Sequence, residues 1–301
     1  MKTFRHLLRI LPVFCAAGLL VLAAGTASAQ GDVEKTLKQY AGETVKGYIQ
    51  PFGDLFGANL NSGLFRGADV STGFHLKVEI VGIASMVGDA QKTYTANAPA
   101  GFNPATFETA TIFGDKGATV TDAGTALTYR GSDGIFNTTF FPDATLQLTL
   151  GNIYGTRASL RFITVPEMSG LPKATQWGIG VQHSVSQYFP VIPLDVAAHV
   201  FYNKFTFGDL IDMSGYSIGV DASKSFSILM LYGGLSVEHS TMKLTYTPSN
   251  ATEPAVSIDL DGANKFRATV GLSVNLFILT VFADANFGTV TNFAAGIGFG
   301  N

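Results

Sequence analysis

The chain has 301 residues, a formal net charge of −3 and a single cysteine, and only 14% of its residues are charged. Soluble domains carry about 25% charged residues, so this composition indicates a surface that partly faces something other than water. A mildly acidic chain without a basic run excludes nucleic acid as a partner, and the absence of about 18 consecutive apolar residues excludes a membrane-spanning helix.

The N-terminus has the three parts of a secretory signal peptide. A basic n-region is followed by an apolar h-region over residues 10–24 and by the small-residue cleavage site Ala-Ser-Ala at 27–29. We predict that residues 1–29 are a signal peptide that is cleaved on export. Because Cys15 lies within it, the mature chain is predicted to have neither disulfides nor thiol chemistry.

Residues 32–52 place apolar side chains at roughly helical spacing, with polar residues between them. We predict an amphipathic helix that ends near Gln50 and Pro51, because a proline disfavours helix at the preceding residue. A glycine-rich connector follows. Residues 30–67 together form a candidate plug for a β-barrel built by the rest of the chain, either inside the barrel or at its periplasmic mouth. A periplasmic appendage is the alternative. The candidate plug-helix residues are Val33, Leu37, Tyr40, Tyr48 and Phe52.

From residue 68 to residue 301 the dominant pattern is an alternation of apolar and polar side chains, which is typical of strands with one apolar face. Residues 264–301 show it most clearly. A long loop, 88–143, interrupts the series and contains a possible hairpin of 106–113 with 118–129. The predicted strands are 74–87, 144–151, 156–165, 176–187, 194–206, 214–224, 228–247, 255–275, 276–287 and 290–300.

Loop lengths distinguish among the folds that this alternation allows. Outer-membrane barrels have short periplasmic turns and longer outer loops, and the predicted connections alternate in that phase, with 88–143 as the longest outer loop. We therefore predict an all-β, antiparallel, up-and-down transmembrane β-barrel of 10–12 strands with an N-terminal amphipathic helix. It would lie in the bacterial outer membrane, with the lipid bilayer and the outer-membrane insertion machinery as partners. A soluble periplasmic β-protein is an alternative.

Aromatic residues collect near the predicted strand ends, as expected where amphipathic rings meet lipid headgroups. An enrichment of aromatics in strands of any kind is the simpler interpretation. The predicted periplasmic girdle contains Tyr154, Tyr188, Phe189, Phe226, Phe277 and Phe299. The predicted outer girdle contains Trp177, Tyr202, Phe207, Tyr216, Tyr246 and Phe287.

If the apolar faces meet lipid, the polar faces line the lumen. Two interpretations stay open for the charged residues there: an ion-pair network that fixes barrel and plug, or a polar constriction that selects solutes. Inward glycines are also numerous and would leave room for another backbone. The candidate lumen-lining charges are Lys77, Glu79, Arg157, Arg161, Asp221, Glu238, Arg267 and Asp284.

No catalytic or metal-binding motif is convincing, so we predict no enzyme activity, cofactor or metal site. His183 and Ser184 are adjacent on a strand and point to opposite faces, so they cannot pair as base and nucleophile. Asp209 and Asp212 fall in a predicted loop, where acidic residues are ordinary. The sequence Asp-Leu-Asp-Gly at 259–262 is only a fragment of a calcium-binding loop.

Several stretches together resemble a domain-of-unknown-function family of secreted bacterial barrel proteins. They are YIQPFGDLFGANLN (48–61), LQLTLGNIYGTRASLRF (146–162), WGIGVQHSVSQYFP (177–190), SKSFSILMLYGGL (223–235), KFRATVGLSV (265–274) and AGIGFGN (295–301). The resemblance implies an outer-membrane-type barrel with an N-terminal helix and supplies no activity. The predicted function is a channel or transporter for small, including hydrophobic, solutes; a structural or adhesive outer-membrane protein with a closed lumen is the alternative.

Overall fold

A computed structural model of the protein describes residues 43–70, 74–168, 172–189, 193–246 and 256–300. The predicted signal peptide and the candidate plug residues Val33, Leu37 and Tyr40 lie outside these ranges. The described chain forms one long helix, α1 (Glu43–Leu60), and fifteen strands. The strands are β1 (His75–Met86), β2 (Thr93–Asn97), β3 (Thr106–Ala110), β4 (Thr119–Thr121), β5 (Thr128–Arg130), β6 (Phe140–Ile153), β7 (Thr156–Val165), β8 (Ala174–Ser184), β9 (Asp195–Phe207), β10 (Ile211–Phe226), β11 (Leu229–Tyr246), β12 (Val256–Asp261), β13 (Phe266–Leu276), β14 (Leu279–Phe287) and β15 (Asn292–Gly300).

The wall is a closed antiparallel barrel of ten strands. Consecutive strands pair from β6 to β11, and β1 closes the ring between β6 and β15. β12 and β13 both pair with β11, β12 beside residues 241–246 and β13 beside residues 229–237. They are therefore one wall strand, interrupted at residues 262–265. The predicted fold is confirmed, with ten strands rather than twelve.

The predicted hairpin inside the long loop is wrong in its pairing. Residues 106–110 pair with residues 93–97, and residues 119–121 pair with residues 128–130, so the loop holds two small hairpins outside the wall. The loop also ends earlier than the predicted 88–143, because β6 already begins at Phe140. The predicted segments 106–113 and 118–129 therefore do not pair with one another: the first pairs with residues 93–97, and the second folds back on itself.

These two hairpins form a cap at one end of the barrel, which we call the long-loop end. The opposite end, with two-residue turns at 154–155, 227–228 and 277–278, is the short-turn end. Within the cap, Asp122 accepts hydrogen bonds from the Thr125 hydroxyl and from the backbone N–H groups of Thr125 and Asn103. These bonds hold the pKa of the Asp122 carboxyl below its usual range.

The helix boundary also differs from the prediction. α1 continues through Pro51 to Leu60, although a proline inside a helix removes one hydrogen bond and costs about 3 kcal/mol. Burial of the residues beyond it offsets this cost, since Phe52, Leu55 and Phe56 belong to the main apolar core. Within the described residues, no helix has the length and apolar character needed to cross a membrane.

The outer surface of the barrel is apolar between two rows of aromatic residues. Trp177 and Tyr202 lie beside one another near the long-loop end, with ring centroids 5.6 Å apart. Exposed rings near the short-turn end are Tyr154, Tyr188, Phe189, Phe226, Phe277 and Phe299. Exposed rings toward the long-loop end are Phe162, Trp177, Tyr202, Tyr216, Phe287 and Phe293.

The spacing of these rows matches a bilayer. Tyr216 and Phe226 are both on β10, about 34 Å apart along a strand, which a tilt of about 40° reduces to roughly 26 Å, against an apolar band of about 25 Å in outer-membrane barrels. Phe207 does not join the outer row as predicted, because it packs against the internal core. The side chain of Tyr246 lies outside the described part.

Candidate functional site

Residues 43–70 run through the barrel interior, and we call them the lumen segment. α1 occupies the half toward the long-loop end, where it contacts β1, β6, β10, β11 and β12. Residues 61–70 continue toward the short-turn end, where the backbone N–H of Ala68 donates to the Ser223 hydroxyl at 2.9 Å. The chain then enters β1 from that end. Of the candidate plug-helix residues, Tyr48 and Phe52 are therefore inside the lumen, both buried.

The half of the lumen toward the long-loop end is packed like the core of a soluble protein. Phe56 meets Phe205 of β9 edge to face, with ring centroids 4.5 Å apart. Phe52 packs in the same way on Phe141, at 5.4 Å. The cap contributes Ile112 and Phe113 to this cluster. Helix, wall and cap thus share one apolar core that fills this half.

Two arginines of the wall bind the C-terminal end of α1. The last carbonyl groups of a helix lack intrahelical partners, and cations are favourable there. Arg267 donates from Nη2 to the Ala58 carbonyl at 2.9 Å and from Nη1 to the Ser62 hydroxyl at 2.6 Å. Arg161 donates to the carbonyl oxygens of Ser62, at 2.9 Å, and Gly63. We call this pair of contacts the arginine clamp.

The charge of Arg267 is balanced by Glu238 on the neighbouring strand. The two side chains form a bidentate pair, with Nε–Oε2 at 2.7 Å and Nη2–Oε1 at 3.0 Å. Both are almost fully buried. Arg161 is held in turn by Gln147, whose Oε1 accepts from Nε at 2.8 Å. A buried pair of this kind is costly to break, because the partner left behind keeps its charge out of water.

Most of the inward charges lie in the half of the lumen toward the short-turn end, beside a small apolar cluster. This cluster contains Leu64, Phe65, Phe201 and Tyr232. Arg66 of the lumen segment lies 3.3 Å from Glu79 and 3.6 Å above the ring centroid of Phe282. Gln147 donates to Glu79 at 3.1 Å and to the Leu64 carbonyl at 3.3 Å. The segment is therefore held by charge pairing, a cation–π contact and a backbone hydrogen bond at one level.

Two further clusters complete this half. Asp221 accepts from Gln182 at 2.8 Å and lies 2.9 Å from Nδ1 of His199, whose Nε2 is 3.4 Å from the Ser217 hydroxyl. In the adjoining part of the wall, Tyr232 of β11 donates to Asp284 of β14 at 3.0 Å. All of these side chains are nearly inaccessible to solvent.

The structure places all eight predicted lumen charges on the inner face of the wall. Lys77 donates to the Thr280 hydroxyl at 3.1 Å, and Arg157 donates to the Asp69 carbonyl of the lumen segment. The charges do not converge on one point but are distributed over the length of the lumen. Each of them binds the lumen segment or another wall residue. Besides Lys77, the residues with such contacts are Glu79, Arg157, Arg161, Asp221, Glu238, Arg267 and Asp284.

Sequence reasoning missed Arg66, Gln147 and His199. Arg66 lies in the predicted glycine-rich connector, where an arginine that follows the apolar residues Leu64 and Phe65 is a signal of a buried charge partner. Gln147 and His199 lie on β6 and β9, which carry none of the predicted inward charges, but both alternate with apolar residues on their strands. A criterion that includes all inward polar residues, and not only charged ones, identifies them.

The inward glycines do something other than predicted at most positions. A side chain at Gly180 would collide with Phe201, and one at Gly271 with Tyr232. These glycines make room for large inward side chains of neighbouring strands. Only Gly215 and Gly234, which face Asn61 and Phe65, make room for the lumen segment.

The lumen segment and the inward side chains of the wall pack closely around one another. One cavity beside the lumen segment has a volume of about 10 Å³ and is lined by Asn61, Ser217, Arg267, Thr269 and Asn286 among others. A cavity of this size holds about one water molecule. Among the described residues, no group of three or more His, Cys, Asp or Glu side chains is arranged to bind a metal ion.

Solved structures with similar folds are bacterial outer-membrane barrels of low sequence identity. Ail, the attachment invasion locus protein of Yersinia pestis, is 11% identical, with 75% of this chain and 99% of that chain covered and a TM-score of 0.29. The transport unit of the autotransporter AIDA-I from Escherichia coli is 14% identical, with 83% and 98% covered and a TM-score of 0.32. No curated protein matches the chain. Residues 1–301 match a sequence family described as a family of unknown function, DUF6588.

Proposed function

Since this chain belongs to DUF6588, a family without an assigned function, we propose its role from its own structure. It is an outer-membrane barrel that is closed at rest by its N-terminal segment and that passes small solutes when this segment moves. The long-loop end is then the outer end, and the short-turn end is periplasmic.

Placement in a membrane is supported by the outward face of the wall. Large apolar side chains such as Leu235 and Val270 are more than 60% exposed there. Exposed apolar surface on this scale indicates a membrane or a partner rather than water. The aromatic rows at both edges of this band, about one bilayer apart, favour the membrane.

The single observation that carries the gating proposal is that the lumen is occupied by an inserted segment and not by wall side chains alone. A barrel of about eight strands can fill itself with its own side chains, and a purely structural barrel has no need of an inserted segment. Here a segment of 28 residues, 43–70, fills the interior. Its part toward the short-turn end is held by hydrogen bonds and ion pairs, which water can replace when the segment shifts.

A disulfide between α1 and the wall tests this proposal directly. Cβ atoms at positions 57 and 240 would lie 2.9 Å apart, about 0.6–1 Å closer than in a usual disulfide, so a small outward shift admits the bond. The variant is Gly57→Cys with Ser240→Cys, in a Cys15→Ser background. Its conductance is measured in planar bilayers before and after addition of a reductant.

We expect no conductance steps from the oxidised variant and step-like openings after reduction. Loosening the arginine clamp by Arg161→Ala with Arg267→Ala should make openings more frequent than in the unmodified protein. Equal conductance of the oxidised and reduced forms would show that ions do not follow the path blocked by the lumen segment. Silence of every form, including the loosened one, would remove the channel proposal.

A structural or adhesive role is the second candidate, and it is favoured by the apolar core that joins α1 to the cap. Phe113 of the cap is fully buried against Phe141, with ring centroids 5.3 Å apart. A cap fixed in this way presents a rigid surface. Replacement of residues 93–130 by a short linker should abolish capture of an outer partner if display is the function. Capture that is unchanged by the replacement would exclude this candidate.

A further inference from the structure

The lumen segment runs through the barrel in one direction, and its contacts show at which end of the barrel it begins. The first turns of α1 lie at the cap: the Tyr48 hydroxyl donates to the Asp133 carbonyl at 2.8 Å, and the Ile112 N–H donates to the Tyr48 carbonyl at 3.0 Å. Both partners belong to the loop between β1 and β6. The beginning of the helix is thus at the long-loop end of the barrel.

The end of the lumen segment is at the opposite mouth. Gln182 donates to the Gly67 carbonyl at 3.1 Å, and Ser223 accepts from Ala68. Ser223 is three residues from the turn at 227–228 in the β10–β11 hairpin, and Val70 packs with Ala197 near the start of β9. The segment therefore reaches the short-turn end before β1 begins.

The length of the segment agrees with a full crossing. An 18-residue helix is about 27 Å long, and the next ten residues span at most about 36 Å when extended. The sum exceeds the apolar band of about 25 Å, so the segment is long enough for its two ends to lie near the two mouths.

We infer that the lumen segment crosses the membrane from the outer side to the periplasmic side, so that the start of α1 at Glu43 is presented at the cell surface. The names of the two sides rest on the proposed function, whereas the crossing itself rests on the contacts alone. A segment that begins at the outer face and precedes β1 at the periplasmic face passes through its own barrel.

The crossing determines how the lumen can open. The lumen segment is covalently tied to β1 at the periplasmic end, so its helix cannot leave on that side without first passing the half that holds most of the inward charges. A shift of α1 toward the outer side must break the arginine clamp at Ala58 and Ser62.

The test compares one epitope tag, flanked by flexible linkers and a protease site, at three positions. The first tag is inserted directly before Glu43, the second in the cap turn at residues 123–126, and the third in the turn at 227–228. Antibody binding and protease cleavage are measured on intact cells and on cells with a permeabilised outer membrane. Heat-dependent gel mobility of each variant establishes that the barrel is folded.

We expect the tag before Glu43 to behave as the cap tag does, reactive on intact cells, with the tag at 227–228 reactive only after permeabilisation. A tag before Glu43 that follows the tag at 227–228 overturns the inference. If the tag before Glu43 and the cap tag both react only after permeabilisation while the tag at 227–228 reacts on intact cells, the crossing stands and the proposed orientation is wrong.

A second measurement serves if the tag before Glu43 prevents folding. The variant Tyr48→Cys with Ile112→Cys places one thiol on the first turns of α1 and one beside the cap, at two residues whose backbones are hydrogen-bonded at 3.0 Å and so lie close enough for a disulfide. Ala68→Cys with Ser223→Cys does the same at the other mouth. Both pairs should oxidise to a disulfide in the folded protein, whereas Tyr48→Cys with Ser223→Cys should not. Crosslinking of that exchanged pair would reverse the direction of the segment.

Discussion

At the scale of single residues, the lumen segment is held in the barrel by buried charged side chains that pair with one another and are not hydrated. Glu238 pairs with Arg267 through two hydrogen bonds, and Arg267 also binds the end of α1. Such a pair adds little stability relative to an apolar core, but its disruption is severe. The alternation of the sequence predicted that both residues face inward. It could not predict the contact with Ala58, because that contact joins residues 209 positions apart.

The substitution Arg267→Ala should therefore destabilise the folded barrel by about 3–5 kcal/mol, since it leaves Glu238 buried without its partner. The measurement is urea unfolding in lipid vesicles. Arg130→Ala is the matched control: it removes an arginine from an ion pair with Asp133 that is about half exposed, and such pairs contribute about 0–1 kcal/mol. Equal losses from the two substitutions would contradict the buried network.

At the scale of elements, α1 is a case in which tertiary packing overrides the local tendency of a proline to end a helix. Pro51 predicts a helix end, and the helix continues because the apolar residues beyond it are buried in the lumen. Two glycines then set how closely the helix approaches the wall. A Cβ at Gly57 would lie 2.9 Å from Cβ of Ser240, whereas one at Gly53 would make an ordinary contact with Met242 at 3.6 Å.

The two glycines should respond oppositely to alanine. Gly57→Ala is expected to cost about 1–3 kcal/mol through overpacking, and Gly53→Ala to stabilise by about 0.5–1 kcal/mol through helix propensity. Unfolding free energies of both variants are measured with that of Gly57→Ala in a Ser240→Gly background, which should recover most of the loss. A Gly57→Ala protein as stable as the unmodified one would show that α1 is not pressed against β11.

The strands of the wall could be predicted from the sequence, whereas the path of the lumen segment through the interior could not, for a physical reason. Successive side chains of a strand point to opposite faces, so the sequence of a strand shows which of its residues share a face. Residues 264–301 show this clearly. The course of residues 61–70 depends on contacts with residues far away in the chain, such as that of Ala68 with Ser223. The alternation of a strand gives no information about contacts of this kind.

At the scale of the whole molecule, two leucines separate a membrane barrel from a soluble one. Leu235, on the outward face of β11 midway between the aromatic rows, is 62% exposed, and Leu127 in the cap is 61% exposed. In water, two leucines of equal exposure should tolerate replacement by arginine equally well. In a bilayer, Leu235→Arg should cost about 2–4 kcal/mol near the midplane, with little effect of Leu127→Arg. Vesicle unfolding curves that coincide for the two variants would count against lipid contact at β11.

The central claim, that the protein is a β-barrel of the outer membrane, is tested most directly by cell fractionation combined with gel mobility before and after boiling. The account predicts that the protein is recovered with the outer membrane and that its unboiled form migrates differently from its boiled form. Recovery in the soluble periplasmic fraction, with the same mobility in both conditions, would contradict it.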